Sequence, residues 1–240
     1  MTDITHPAGA LLDQSADTPL VDIASIAPGT VLVLAPHADD ETLGCGEAIV
    51  AARAFGRHVA VALMTDGAAS HPNSRTHPPA AMRALRLEEF EAAVADLDPR
   101  IETRSFAFPD AASTGDEHER ARFLDVLTPF AHEVAPAVIW TTWEHDPHCD
   151  HLATARAARE LGTALGVPVL SYVVWGRFGA RTADGLVVRF ADRRANAAKR
   201  RAAAHYRSQL TPLVADDPDG FVMPAALTEH FLSTPEIFVL

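Results

Sequence analysis

Short runs of aliphatic and β-branched residues alternate along the chain with longer segments whose apolar positions recur at helical spacing. Thr30–Ala35 (TVLVLA) stops at Pro36, and His58–Met64 (HVAVALM) stops at Thr65-Asp66-Gly67. Both read as strands buried on two faces. Ile101–Phe108, Ala137–Thr141 and Val167–Trp175 continue the series. Between them, helical patterns cover Gly44–Phe55, Pro79–Asp96, Glu117–Glu133 and His151–Leu165, the last stopped by Gly166. Leu85, Phe90, Ala93, Val94 and Leu97 mark the apolar face of the second of these, and Phe123, Leu124, Leu127 and Phe130 that of the third. Ser70–Pro79 is polar and proline-rich, hence a loop. Gly179–Ala191 reads as a hairpin around Ala183-Asp184-Gly185, and Asp192–Leu210 as a final helix.

This alternation predicts an α/β fold: a Rossmann-like, mostly parallel sheet with helices on both faces and a hairpin near the C-terminal end. No repeat, linker or low-complexity run divides the chain. The expectation is a single domain over residues 1–240, with residues 1–28 forming a leader packed on it.

Composition narrows the class. The 240 residues are 48% hydrophobic and 22% charged. That excludes a disordered chain, a collagen-like repeat and a coiled coil. Lys and Arg number 20 against 32 Asp and Glu, a net charge of −12. Nucleic acid and anionic membranes both need an electropositive face, so neither is an expected partner. Apolar runs such as Val59–Met64 fall far short of the roughly 20 residues that span a bilayer. Cys45 and Cys149 are too few for a disulfide framework. Asp3, Asp13 and Asp17, without a basic segment ahead of an apolar run, argue against a secretory leader, so the expected location is cytoplasmic. An oligomer is compatible with all of this.

Open α/β sheets bind ligands beyond the C-terminal ends of their strands. Three polar clusters fall there: Pro36-His37-Ala38-Asp39-Asp40-Glu41, Thr65-Asp66-Gly67, and His145-Asp146-Pro147-His148-Cys149-Asp150-His151. A turn after a strand can aim His37 and Asp40 at one point and leave Asp39 beside it. Imidazole plus carboxylate suits zinc. The same acidic residues would equally cap the following helix. His148 and His151, three apart at a helix start, change the balance, because one can ligate metal while the other reaches a substrate. His37, Asp40 and His151 together leave an open fourth position for water, the pattern of catalytic zinc. A surface histidine-rich turn is the bland alternative, and His145 fits it best.

These residues resemble the motifs of the zinc-dependent N-acetylglucosaminyl deacetylases, the PIG-L or LmbE-like family. Its Pro-His-Pro-Asp-Asp-Glu motif reads Pro36-His37-Ala38-Asp39-Asp40-Glu41 here, and its His-Pro-Asp-His reads His148-Cys149-Asp150-His151. Leu43-Gly44-Cys45-Gly46, Thr65-Asp66-Gly67, Ser70-His71-Pro72-Asn73-Ser74 and Arg207-Ser208-Gln209 follow the family's order. The resemblance implies His37, Asp40 and His151 as ligands of Zn2+, with Fe2+ as an alternative ion on the same donors. It implies Asp39 as general base and a protonated His148 as the group that stabilises the tetrahedral oxyanion. Asp146, ranked ahead of Asp150, would orient a histidine from behind.

The implied reaction is hydrolysis of the N-acetyl group of a small-molecule N-acetylated amino-sugar conjugate, giving free amine and acetate. Hydrolysis of another N-acyl amide, a sugar-nucleotide-binding module and a non-catalytic metal binder are the competing readings. No Gly-x-Gly-x-x-Gly follows the first strand, which counts against the binding module.

Asp66, Arg75 and Arg177 are candidate substrate-binding residues. Arg86 reads either as a further substrate-binding candidate or, the preferred reading, as a surface pair with Glu89. Trp143 and Trp175 read either as a sugar-stacking wall or as packing. His71 sits in a loop able to cover the pocket, and Arg207, Ser208 and Gln209 read as structural. Ala38 and Cys149 stand where the family has proline, and Glu47 where it has glycine. Cys149 is expected to point into helix packing, and Glu47 to alter the pocket's shape.

Overall fold

The computed structural model describes residues 7–240. Its strands are β1 (Val31–Ala35), β2 (Val59–Thr65), β3 (Glu102–Phe108), β4 (Val138–Thr142), β5 (Val169–Tyr172), β6 (Val187–Phe190) and β7 (Glu236–Val239). They form one seven-stranded sheet in the order β3-β2-β1-β4-β5-β7-β6. The first five run parallel, while β7 is antiparallel to both β5 and β6. Every residue of β1, β2 and β4 is buried, because helices cover both faces of the sheet's centre. The edge strand β3 alternates between partly exposed and exposed positions up to its buried last residue, Phe108.

The helices are α1 (Ala10–Ser15), α2 (Ile23–Ile26), α3 (Asp40–Ala54), α4 (Pro79–Leu97), α5 (Glu117–Val134), α6 (Cys149–Leu165), α7 (Arg193–Ala203), α8 (Arg207–Leu210) and α9 (Ala225–Ser233). Side chains alternate across each strand, so Val31, Val33 and Ala35 join one core, with Phe90, Val94, Phe231 and Phe238, while Leu32 and Leu34 join the other, with Phe123, Phe130 and Leu161. In α6 the His148 side chain caps the N-terminus, and Gly166 takes the left-handed conformation at the C-terminus. None of the helices among the described residues is long and apolar enough to cross a membrane.

Several expected boundaries are corrected. Gly179–Ala191 is not a hairpin. It supplies one strand, β6, and the C-terminal strand β7 inserts between β6 and β5. Residues some fifty positions apart make this antiparallel pair, a partnership that local periodicity does not carry. The helix expected over Asp192–Leu210 ends at Ala203, where the chain turns and Tyr206 brings its hydroxyl onto buried Glu41. The helix expected from Gly44 starts at Asp40 and breaks at Cys45 (φ −146°, ψ 23°). β5 stops at Tyr172, and Trp175–Phe178 forms a tight 3-10 turn. Residues 1–6 of the expected leader lie outside the described residues. In the remainder, Leu11 and Ile26 are fully buried, and Ile26 O accepts the indole N–H of Trp140 at 2.9 Å.

Candidate active site

The loops after β1, β2, β3 and β4 converge at the C-terminal edge of the sheet, around a cavity of about 150 Å3. His37, Asp39, Asp40, Arg86, Asp110 and His148 form its polar side. Leu43, Val174, Trp175, Phe221 and Met223 form an apolar wall.

Asp40 Oδ2 is the meeting point. It lies 3.3 Å from His37 Nδ1 and 3.2 Å from His151 Nε2, and it accepts the His37 backbone N–H at 3.0 Å. His151 Nε2 is buried and lacks the alignment of a hydrogen bond, so it has no bonded partner. Tetrahedral zinc with bonds of about 2.0–2.1 Å places its ligand atoms about 3.3–3.4 Å apart. The two nitrogen–oxygen spacings and the unpartnered buried nitrogen are each compatible with a divalent metal, and ring nitrogens of His37, His148 and His151 also lie within 4.8 Å of one another. The opposite ring atoms are held by carboxylates. His151 Nδ1 meets Asp146 Oδ2 at 2.9 Å, and His37 Nε2 meets Asp150 Oδ2 at 2.9 Å and Asp110 Oδ1 at 3.2 Å. Both Asp146 and Asp150 thus orient a histidine, one each. Gly176 N donates to Asp146 Oδ1, and a Cβ on Gly176 would stand 2.4 Å from that oxygen, so only glycine admits the contact.

Charges follow the geometry. Burial alone would lower the pKa of His151, but Asp40 and Asp146 overcome it and push it up to about 9. His37 is raised in the same way, by Asp110, Asp150 and Asp40 against burial. Burial raises the Asp40 carboxyl, yet the two histidines hold it far below the usual carboxylate range. Asp39 goes the other way. Burial, opposed by Arg86 and reinforced by the charges of Asp40 and Glu41, pushes it up to about 8. His148 falls to about 4 through burial and the positive charges of His37 and His151. Its Nδ1 accepts the Asp150 N–H at 3.3 Å, which leaves the ring proton on Nε2. The lowered pKa favours the neutral imidazole over the protonated one, and a neutral Nε2–H still donates a hydrogen bond.

Asp39 also carries backbone strain. Its φ of +132° is a conformation that L-residues rarely adopt, costing about 1–3 kcal/mol. The surroundings hold it there. Asp39 N donates to Glu41 Oε2 at 3.3 Å, Asp39 O accepts from Leu43 N at 2.8 Å, and Arg86 Nη2 grips Ala38 O at 2.8 Å. Glu41 is fully buried and fixed by the hydroxyls of Thr42 and Tyr206.

Two residues of the cavity lining stand out against the sequence reading, which preferred a surface role for Arg86 and did not single out Asp110. Arg86 is not a surface partner of Glu89. It is buried, 3.7 Å from Asp39 and 4.0 Å from Asp110. Glu89 is buried too, accepting from Ser208 N and Oγ. Gly67 (φ +66°) makes room for the arginine, whose Cδ would lie 2.6 Å from a Cβ there. Asp110 follows the end of β3, and its place at a strand terminus beside Pro109 was the available signal.

Other expected residues lie elsewhere, two of them committed to holding the fold and one exposed. Asp66 accepts from Ala68 N and Asp110 N and pairs with Arg83, tying down the loop after β2. Arg75 is exposed, and its backbone N–H donates to Asp216. Arg177 is 1% exposed in the core, donating to Val173 O and stacked over Phe231. None of these three lines the cavity. Trp143 is packed in a separate core cluster, whereas Trp175 lines the cavity. Glu47 ties α3 to Asp192 N and Asn196 instead of shaping the pocket. Cys149 faces solvent instead of the helix packing. His71 does not lie over the cavity as a cover. It is buried against Gly220, while Ser70 and Gln209 reach the lining.

The sequence profile of the GlcNAc-PI de-N-acetylase (PIG-L) family matches residues 32–161, more than half of the chain. The chain belongs to the PIG-L family. Comparison with curated proteins gives no match. Three solved structures share the fold. One is an A40926 pseudoaglycone deacetylase, at 24% identity and TM-score 0.67, covering 88% of this chain and 96% of that one. A second is a deacetylase of teicoplanin biosynthesis in complex with teicoplanin, at 20% identity and TM-score 0.66, covering 88% and 97%. The third is the N,N'-diacetylchitobiose deacetylase of Pyrococcus horikoshii, at 19% identity and TM-score 0.62, covering 92% and 80%. At these identities the likeness is one of fold. In this PIG-L family member, the matched span carries β2, β3, β4 and all of β1 but Val31, with His37, Asp39, Asp40, Arg86, Asp110 and His148 of the cavity lining.

Proposed function

We propose that this protein is a metal-dependent N-deacetylase acting on an N-acetylated amino-sugar conjugate. The observation that carries the reading is the convergence of His37 Nδ1 and His151 Nε2 on Asp40 Oδ2, beside the cavity and next to a carboxyl tuned toward neutrality. Family membership and the deacetylase names of the structural neighbours support it.

His37, Asp40 and His151 would hold the metal, zinc by donor set, with Asp146 and Asp150 fixing the ring orientations. A metal there would supply Lewis acidity to the amide carbonyl and acidify the attacking water. Asp39 takes a proton from the water as it attacks the carbonyl carbon. Arg86, 3.7 Å away, favours the ionised carboxylate that accepts this proton, and the carboxyl so formed can return it. The neutral Nε2–H of His148 donates to the carbonyl oxygen as negative charge develops on it. When the C–N bond breaks, Asp39 returns its proton to the leaving nitrogen, and amine and acetate separate. Arg86, close to both Asp39 and Asp110, offsets the concentration of negative charge.

The apolar wall of Leu43, Val174, Trp175, Phe221 and Met223 supports a conjugate that presents a nonpolar face beside its acetamido group. The test is free-amine release from a panel of N-acetylglucosamine conjugates by the parent and by D39N. The reading expects release by the parent, and from D39N metal retention with release reduced about a hundredfold or more. Full release by D39N would remove Asp39 from its role as base.

A further inference from the structure

The helix that carries Asp40 is broken one turn after it begins, and the break is filled by a buried ion pair. In an unbroken helix the Glu47 N–H would go to Leu43 O, and the Ala48 N–H to Gly44 O. Here Lys199 Nζ donates to Leu43 O at 3.0 Å, while Glu236 accepts Glu47 N at 2.7 Å on Oε1 and Ala48 N at 2.9 Å on Oε2. Lys199 and Glu236 join each other at 2.8 Å and are 0% and 1% exposed. The ammonium thus takes the carbonyl at the end of the first turn, and the carboxylate takes the amides that open the second segment. Two glycines make room. A Cβ at Gly44 would stand 2.4 Å from the Tyr172 ring, and one at Gly46 would stand 3.3 Å from Lys199 Cγ.

We propose that Lys199 and Glu236 are positioning residues that hold α3 broken at Cys45 and so aim the Asp39–Leu43 turn at the cavity. That turn carries Asp39 and Asp40 and presents Leu43 to the cavity wall, whereas the rest of α3 packs on α7 and α9. Lys199 comes from α7 and Glu236 from β7, so two elements more than 150 residues from the motif set its direction. The inference rests on the reading of Asp40 as a metal ligand and of Asp39 as a base.

The test is K199M/E236L, which removes both charges and leaves an apolar pair of similar bulk. Buried ion pairs are often replaceable in this way without loss of stability. Three quantities are read on the full chain: melting temperature without metal, the carbon chemical shifts of Cys45, and zinc affinity of the folded protein. The expected result is a folded variant in which Cys45 becomes helical and zinc binds about tenfold or more weakly. A variant with Cys45 still non-helical, or with unchanged zinc affinity, would overturn the proposal. A merely structural pair would change the melting temperature and leave zinc affinity alone. If K199M/E236L does not fold, E236Q decides by amide exchange. Glu47 and Ala48 amides that exchange at the parent rate would overturn the proposal, and selective acceleration of those two would support it. A parent that binds no zinc would defeat the metal reading, while the Cys45 shifts and the exchange rates would still decide the pair.

Discussion

Asp146→Asn isolates what the carboxylate behind His151 does. Asp146 Oδ1 accepts the Gly176 N–H, and Oδ2 accepts from His151 Nδ1 at 2.9 Å; the residue is 4% exposed. Asparagine keeps the shape and can keep its carbonyl on Gly176 N, which spares the buried amide. It then presents an NH2 group to His151 Nδ1. Two donors cannot face each other, so the neutral His151 ring that could ligate metal must carry its proton on Nε2 instead of Nδ1. Nε2 is the atom 3.2 Å from Asp40 Oδ2, on the side where metal would bind, and a protonated nitrogen cannot ligate. Loss of such a supporting partner weakens metal binding about 10- to 100-fold, or about 1.4–2.8 kcal/mol. Asp146→Ala is the harsher change. It leaves two buried donors unpaired, at about 1–3 kcal/mol each, and is expected to lower the melting temperature as well. The assay is competition for zinc against a chromophoric chelator, with thermal unfolding of the metal-free proteins alongside. A D146N protein with parental zinc affinity would refute the tautomer argument.

Arg86→Met is expected to retain metal and lose about tenfold or more in kcat, because Ala38 O loses its donor and Asp39 loses the nearby positive charge; metal analysis and steady-state kinetics check both parts. Arg75→Ala should leave amine release unaltered and stability within about 0.5 kcal/mol, since the side chain is exposed away from the cavity. Arg177→Ala should cost about 2 kcal/mol or more of stability without changing KM, measured by urea unfolding and kinetics. His230 packs against Phe178 and Phe231, and burial with the charges of Arg177 and Lys199 pushes its pKa down to about 4. A depressed histidine contributes stability that is present above its unfolded pKa of about 6.5 and is lost as pH falls toward 4. His230→Phe should therefore lose less melting temperature than the parent between pH 6.5 and 4, and parallel losses would contradict the assignment.

Much of the site was legible because its residues sit where a parallel sheet must put them. A strand as apolar as Val31–Ala35 has to be central, so His37, Asp39 and Asp40 necessarily emerge at the C-terminal edge. Pro147 and His148 mark the start of α6, which brings His151 to the same edge. What stayed hidden depends on contacts distant in sequence. Arg86 lies on the buried stripe Met82–Arg86–Phe90–Val94 at helical spacing, a charge on an apolar face that was read as a surface residue. β7 shows only four residues of pattern and finds its place through pairing with β5 and β6. The roles of Lys199, Glu236 and Tyr206 arise where α7, β7 and the turn after α7 meet α3, and no local motif signals them. Arg177 and Asp66 show the converse error. Charged residues near a strand end look available for substrate until their hydrogen bonds are traced.

The central claim is that the convergence of His37, Asp40 and His151 is a metal site that serves amide hydrolysis. The most direct measurement is metal content together with amine release from an N-acetylglucosamine conjugate, before chelation, after it, and after reloading with zinc or iron. The account predicts about one divalent ion per chain, release abolished by the chelator and restored by reloading. A chain that takes up no metal under any loading condition, or amine release indifferent to the chelator, would contradict it.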